Sequence, residues 1–595
     1  MKPKNMFWIL MIILILSSLH SVSAFENSKK GYMPLLSVYR TEDNKSMGKI
    51  AHLYLEIKPG NGDVYLDTFP LSELDTQITV RFANRLACKY TNKDCNQYDF
   101  FYKIRSDSTT VGGPSAGASV AVLTIAMLDN LNLNEKAVMT GTINSGYVIG
   151  PVGEIKEKIR AAEKEGFEKV IIPKWQHSTN TSFNITDINT EVIETGNLDQ
   201  AVYEFTGKNF SKKYEKTEIP EEYSRIMSSV AESLCENFNR AAKEYENKRD
   251  NETVNKSFLR YESGIKSIEE GRYYSGASYC FSANLLIDEI IINEMPEESI
   301  KEKYEAVKEK LIKLKNKINS IEIKSLQNLE TFMVVSERID EAMMSIEEYE
   351  EEGNNSKEEI AYAVERYNSA LYWSEFFEWE GREIELDEES LKDTCLKKIY
   401  EAQEIDNYIY IYFREKPGEE KIEQAKDDYR KGDYELCIYR ASKSKAQSSL
   451  IMTALLIKEN ETKMLLDEKI ESAEKVIAEQ ASKGNFPIIG YSYYEYASSL
   501  KDEDASSGLL YSEYALELSN LDMYFKETEE KSFLEKIPRI TIRINNYNIT
   551  ALFVFFLGIS VGGFIVFIIM RNKNPVKDHK PRKSLEKERL PGKKR

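Results

Sequence analysis

Hydrophobic and polar positions follow two different rhythms along this chain. Between about Gly31 and Gly207, stretches of period 2 alternate with stretches of period 3.6. IAHLYLEIK (Ile50–Lys58) and DVYLDTF (Asp63–Phe69) alternate apolar and polar residues on either side of Pro59-Gly60-Asn61-Gly62. That pattern predicts two strands joined as a hairpin. LDTQITVRFANRLAC (Leu74–Cys88) has helical spacing, and FFYKI (Phe100–Ile104) reads as a strand. An almost wholly apolar helix follows Ser115, succeeded by short strand-like pieces. EIKEKIRAAEKEG (Glu154–Gly166) is amphipathic at the helical period, and KVIIP (Lys169–Pro173) reads as a buried strand. Residues 31–207 are therefore expected to form a compact α/β domain.

Beyond about Pro220 only Pro296 and Pro417 interrupt a run to Lys483 that is rich in Glu, Lys, Ala, Leu, Ile and Tyr. This composition favours helix. Three similar turns recur: GRYYSGASYC from Gly271, GDYELCIYRA from Gly432 and GNFPIIGYSYYEYA from Gly484. In each, Gly ends one helix and an aromatic opens the next, as in tetratricopeptide-type hairpins. The spacing is irregular, so a bent helical bundle fits as well as a solenoid. The expected fold is an α/β domain followed by a large all-α helical-hairpin region over residues 215–535.

Both ends carry membrane-related patterns. Lys2 and Lys4 precede the apolar run Phe7–Leu16, and Val22-Ser23-Ala24 supplies small residues, so residues 1–24 read as a secretory signal peptide. Ile549–Met570 contains 22 residues without a charge, long enough for one C-terminal transmembrane helix. Residues 571–595 are strongly basic and read as a cytoplasmic tail. The expectation is a single-pass cell-membrane protein with its bulk outside the cytoplasm.

Charge divides along the same lines. The formal net charge is −18; the first 24 residues hold +2 and the last 25 hold +8, which leaves −28 for the stretch between. Such acidity argues against a nucleic-acid partner. All six cysteines lie in the part expected to be exported: Cys88, Cys95, Cys235, Cys280, Cys395 and Cys437. An even number in an oxidising compartment reads as disulfides, with nearest-neighbour pairing the simplest arrangement. No Cys-x2-Cys pair is present, and the exported part has only His52 and His177, so neither zinc nor another cofactor is expected. Nine Asn-x-Ser/Thr triplets, Asn180 and Asn184 among them, are compatible with glycosylation.

The candidate chemistry centres on TVGGPSAGASVAVLTIAML (Thr110–Leu128), where Ser115 stands between flexible glycines and a buried helix. Ser115 is either a helix cap or a nucleophile, and a nucleophile needs a base and donors for the oxyanion. His52 lies in a strand pattern and His177 in a polar loop, with no motif around either. A lysine kept neutral by burial can replace histidine. On the helix Glu154–Gly166, the stripe Ile155, Ile159, Ala162 faces inward and Lys158 falls about 60° from its centre, whereas Lys156 and Lys164 point to solvent. Lys158 reads either as that base or as a snorkelling lysine paired with Glu154.

GPSAG (Gly113–Gly117), MTG (Met139–Gly141) and GPVGEIKEKIRAAEKEGFEKVIIP (Gly150–Pro173) together resemble the proteolytic domain of the Lon family of serine proteases, over roughly Gly31–Gly207. Ser115 and Lys158 stand 43 residues apart, the family's spacing between nucleophile and base. The resemblance implies a Ser–Lys dyad of Ser115 and Lys158, with Thr140 holding the lysine and backbone N–H groups of Gly113 and Ser115 as oxyanion donors. Three features depart from the family pattern. Gly112 and Thr142 stand where the family carries acidic residues, and Phe101, Tyr102 and Lys103 replace its histidine-bearing strand. These bear on rate, activation and substrate preference. No G-x4-G-K-[ST] string occurs, so the family's ATPase module is not expected.

The expected function is a membrane-anchored, ATP-independent serine endopeptidase acting on unfolded or flexible extracytoplasmic polypeptides, with the helical region docking substrates or a protein partner. The alternative is a cell-surface interaction scaffold with a degenerate Lon-like domain.

Overall fold

The computed structural model describes residues 28–527, apart from 42, 44, 73, 108–111, 175–187, 211–217, 353–356 and 457–460, together with residues 557–564 and 566. Residues Met1–Thr528 fall in one compact unit and Glu529–Arg595 in a second. In the second unit residues 557–564 are helical. The expected signal peptide, the basic tail and the rest of Ile549–Met570 other than residue 566 lie outside the described residues. Among the described residues, no helix is long and apolar enough to cross a membrane.

The N-terminal part of the first unit is built on a seven-stranded sheet of order β3-β4-β2-β1-β5-β8-β9. Its strands are β1 (Lys29–Arg40), β2 (Ser46–Pro59), β3 (Val64–Phe69), β4 (Tyr98–Arg105), β5 (Ala137–Met139), β8 (Lys169–Pro173) and β9 (Glu191–Thr195). A separate two-stranded pair joins β6 (Thr142–Ile143) to β7 (Ile149–Gly150). β1, β5, β8 and β9 run parallel, while β1, β2 and β4 are antiparallel neighbours.

The expected hairpin between β2 and β3 does not form. β4 inserts between them, antiparallel to β2 and parallel to β3. The glycine-rich link is held by β4 itself: Asp99 Oδ1 accepts the N–H groups of Asn61 at 2.8 Å and Asp63 at 3.1 Å. Tyr65 of β3 then stacks on Phe101 of β4 with ring centres 4.8 Å apart. The alternating pattern set the faces of both strands, and side chains encoded elsewhere set their neighbours.

Successive strand residues face opposite sides of the sheet, and the central strands supply two cores. Leu35, Met139 and Ile171 join the core with α1 (Leu74–Thr91), α2 (Gly117–Leu128) and α4 (Leu198–Thr206). Leu36, Val138, Val170 and Ile172 pack instead against Ile155, Ile159 and Ala162 of α3 (Ile155–Lys164). α2 is apolar on every side because it is buried all round, between α1, α4 and the sheet.

The remainder of the unit is helical: α5 (Glu221–Ala241), α6 (Glu252–Glu269), α7 (Tyr273–Glu294), α8 (Glu297–Ile318), α9 (Leu326–Glu352), α10 (Glu358–Trp373), α11 (Glu388–Phe413), α12 (Glu419–Lys431), α13 (Tyr434–Leu456), α14 (Thr462–Ser482), α15 (Ile488–Leu500) and α16 (Ala505–Leu518). Gly432 and Gly484, at φ of 87° and 82°, separate α12 from α13 and α14 from α15, as the repeated turns predict. The cysteines pair as nearest neighbours: Cys88–Cys95, Cys235–Cys280 joining α5 to α7, and Cys395–Cys437 joining α11 to α13.

The helical region packs directly on the α/β part through a largely charged seam. Arg85 of α1 meets Glu401 of α11 at 3.1 Å, and Lys89 meets Asp522 at 2.7 Å. Lys445 of α13 lies 3.9 Å from the centre of the Phe82 ring and bonds Glu401 at 3.0 Å and Glu517 at 3.2 Å. Burial works to raise the Glu401 carboxyl, yet Lys445, Lys398 and Arg85 around it hold it down at about 2.

Candidate active site

The candidate residues converge at the carboxyl ends of the parallel strands, where open α/β sheets place their sites. β5 ends at Met139, and Thr140 donates its N–H to Ile171 O at 3.1 Å. The chain then turns so that Gly141 N–H donates to Ser115 O at 2.9 Å, while Ala118 N–H donates to Gly141 O at 3.1 Å. MTG and GPSAG are thereby stitched together by backbone alone. The approach demands glycine at Gly117, where a β-carbon would lie 2.8 Å from Ile143 Cγ2.

Ser115 sits in a 3-10 turn, Pro114–Ala116, and is half-buried. The following helix takes Ala116 as its cap with no side-chain hydrogen bond, so the hydroxyl of Ser115 is not spent as a cap. The cap reading of this serine is thus corrected.

Lys158 is on α3, only 3% exposed, and donates from Nζ to Thr140 Oγ1 at 3.2 Å. Thr140 Oγ1 donates in turn to Ser115 O, also at 3.2 Å. Burial pushes the Lys158 amine down from its ordinary 10.5 to about 7, against the smaller opposing pull of Glu154. The snorkelling reading fails because the head group is buried; Glu154 still acts on it electrostatically, while its Oε1 accepts from Ser46 Oγ at 2.6 Å. Lys156 is half-buried and Lys164 exposed. His52 is exposed on β2, where its Nδ1 shares a 2.9 Å hydrogen bond with Tyr32, and His177 lies outside the described residues.

Gly113, expected as an oxyanion donor, is already engaged. At φ of 93° it directs its N–H to Asp75 Oδ2 at 3.0 Å. Asp75 opens α1 and is buried; burial raises its carboxyl, and the N–H groups of Thr76 and Gly113 offset only part of that. In this conformation the Gly113 donor, expected at the oxyanion, serves a carboxylate of the protein itself.

A second group comes from the helical region, and no local motif announced it. α11 lies over the serine turn and the approach to α3. Glu404 accepts a hydrogen bond from Thr79, and burial lifts its carboxyl to about 8, with Asp75 nearby raising it further. Tyr408 Oη accepts the Gly153 N–H at 2.8 Å. A cavity of about 20 Å³ remains between Pro114, Thr142, Ile143 and Glu404, room for about one water. Among the described residues, no group of three or more His, Cys, Asp or Glu could hold a metal ion.

Residues 76–200 match the family model described as the Lon protease (S16) C-terminal proteolytic domain. The match begins within α1, later than the resemblance from Gly31 anticipated. The archaeal Lon protease of Thermococcus kodakarensis is 35% identical over 95 residues, covering 16% of this chain and 15% of its own. The Lon protease of Methanosarcina barkeri is 34% identical over 131 residues, covering 21% and 16%. The peroxisomal Lon protease homolog 2 of Caenorhabditis elegans is 35% identical over 77 residues, covering 13% and 10%. The chain thus spans about one-sixth or less of the length of these curated relatives, and the residues matched by the family model include Ser115, Thr140 and Lys158. The comparisons thus place a Lon-family, S16-type protease domain within residues 76–200 of this chain.

Proposed function

We propose that the chain is a serine endopeptidase working through a Ser115–Lys158 dyad, without ATP, on unfolded or flexible polypeptides outside the cytoplasm, anchored by its C-terminal apolar segment. The observation that carries this reading is the buried Lys158, hydrogen-bonded to Thr140, its amine held near neutrality by desolvation. A neutral amine accepts a proton from Ser115 Oγ as the oxygen attacks the peptide carbonyl. The resulting ammonium returns that proton to the leaving amine, and the acyl-enzyme forms. Water then attacks the ester, losing its proton to Lys158, which passes it to Ser115 Oγ as the C–O bond breaks and the carboxyl product leaves, restoring the dyad. Thr140 fixes the lysine head group throughout. The Ser115 N–H at the start of the turn, and the Gly113 N–H once it leaves Asp75, supply the oxyanion donors.

The competing reading is a cell-surface interaction scaffold. It draws on the Gly113–Asp75 hydrogen bond and on the narrow cavity under α11. One experiment separates them. Full-length wild type, Ser115→Ala and Lys158→Ala, solubilised in detergent, are incubated with an unfolded protein without nucleotide, from about pH 6 to about pH 10. Cleavage by wild type alone, rising through a pKa near 7, supports the dyad. Equal silence from all three folded proteins favours the scaffold.

A further inference from the structure

The dyad's two loops are joined by a side chain from outside the protease domain. The ring of Tyr408, 4% exposed on α11, lies against Gly113: a β-carbon there would be 3.5 Å from Tyr408 Cε2 and 3.9 Å from Cδ2. Its hydroxyl takes the Gly153 N–H at 2.8 Å. Gly113 is two residues before Ser115, and Gly153 is five before Lys158, at the entrance to α3. One tyrosine thus touches the turn carrying the nucleophile and the loop that leads into the base helix.

Its neighbour tightens the fit. The Tyr412 ring stands edge-on to Tyr408, centres 5.1 Å apart, and a β-carbon on Gly153 would lie 2.5 Å from Tyr412 Cζ. Gly153 is therefore the residue type this packing requires. Ile405, Ile409 and Met452 complete an apolar cluster around Tyr408, so its position follows that of α11 and α13.

We infer that Tyr408 is a positioning residue of the Ser115–Lys158 dyad, through which the helical region sets the register of the nucleophile turn against the base helix. This rests on the peptidase reading above. The ring supplies a hard surface for the serine turn, and the hydroxyl fixes a buried N–H that would otherwise be unpaired. Ordinary packing predicts that losing one hydroxyl leaves the chemistry alone. A positioning role predicts a loss in turnover with binding nearly intact, because a small displacement of the reacting groups costs rate before affinity.

The test uses the full-length chain in detergent with an unfolded protein substrate. Wild type, Ser115→Ala, Tyr408→Phe, Gly153→Ala and the control Tyr400→Phe are compared, Tyr400 being 44% exposed on the same helix. Tyr408→Phe should lower kcat roughly ten-fold with KM within about two-fold, and move the acid limb of the pH profile upward as water reaches Lys158. Gly153→Ala should lower kcat by displacing Tyr412, and adding Tyr412→Ala should restore part of it. Should Tyr408→Phe fail to fold by circular dichroism, the Gly153→Ala and Tyr412→Ala pair decides. Wild-type kcat and pH profile in both Tyr408→Phe and Gly153→Ala, with Ser115→Ala silent, overturn the inference and leave the dyad standing. A silent wild type removes the peptidase reading and this inference with it.

Discussion

Replacing Lys158 by methionine tests the physical basis of the site without touching its shape. The side chain is buried, and its pKa falls from 10.5 to about 7. At 1.36 kcal/mol per unit, keeping the protonated amine there costs about 5 kcal/mol below pH 7. Between pH 7 and 10.5 the unfolded lysine binds a proton that the native one does not, so wild-type stability rises with pH across that window. Methionine has no proton to lose and removes this slope. It also forfeits the hydrogen bond to Thr140, worth about 1 kcal/mol. The net expectation is a gain of about 2–4 kcal/mol near pH 6, shrinking toward zero near pH 10, with peptidase activity abolished. Urea unfolding midpoints of both proteins, compared at several pH values with equal m, read the difference. Parallel curves for the two proteins would mean that Lys158 titrates at its ordinary value, and the case for it as a neutral base would fall.

Three further outcomes follow from the same geometry. Asp75→Ala frees the Gly113 N–H and should raise the initial cleavage rate by up to roughly ten-fold, whereas an unchanged rate shows that the donor is released on substrate binding regardless. Glu401→Ala leaves Lys445, Lys398 and Arg85 without their shared carboxylate and should cost about 3–5 kcal/mol, read as a lower thermal midpoint; no change would show that the seam is open to water. Joint replacement of Cys235 and Cys280 by serine releases a link across 45 residues and should cost about 4 kcal/mol in denaturant unfolding, α5 and α7 being the helices to loosen first; an unshifted midpoint would show that their packing alone holds them.

What the sequence determined by itself is local or carried by spacing. KVIIP is β8 to the residue, the stripe Ile155–Ile159–Ala162 faces the sheet, and Lys158 beside it is buried. The turns at Gly432 and Gly484 end helices because a left-handed residue does so wherever it falls. The Ser115 and Lys158 motifs were legible because short strings hold each one's immediate backbone. The tertiary structure alone decided which distant pieces meet. β4 parts β2 from β3 because strand faces are written in alternation, while pairing partners are chosen by side chains such as Asp99 and Phe101. Asp75 occupies the Gly113 N–H, and Tyr408 spans Gly113 and Gly153 from at least 255 residues downstream. In the sequence Tyr408 is one aromatic among several in NYIYIYF, at a helical position that reads as core. Only the packing of α11 on the nucleophile and base loops gives it a place at the site, because a contact between distant segments depends on the whole fold that brings them together.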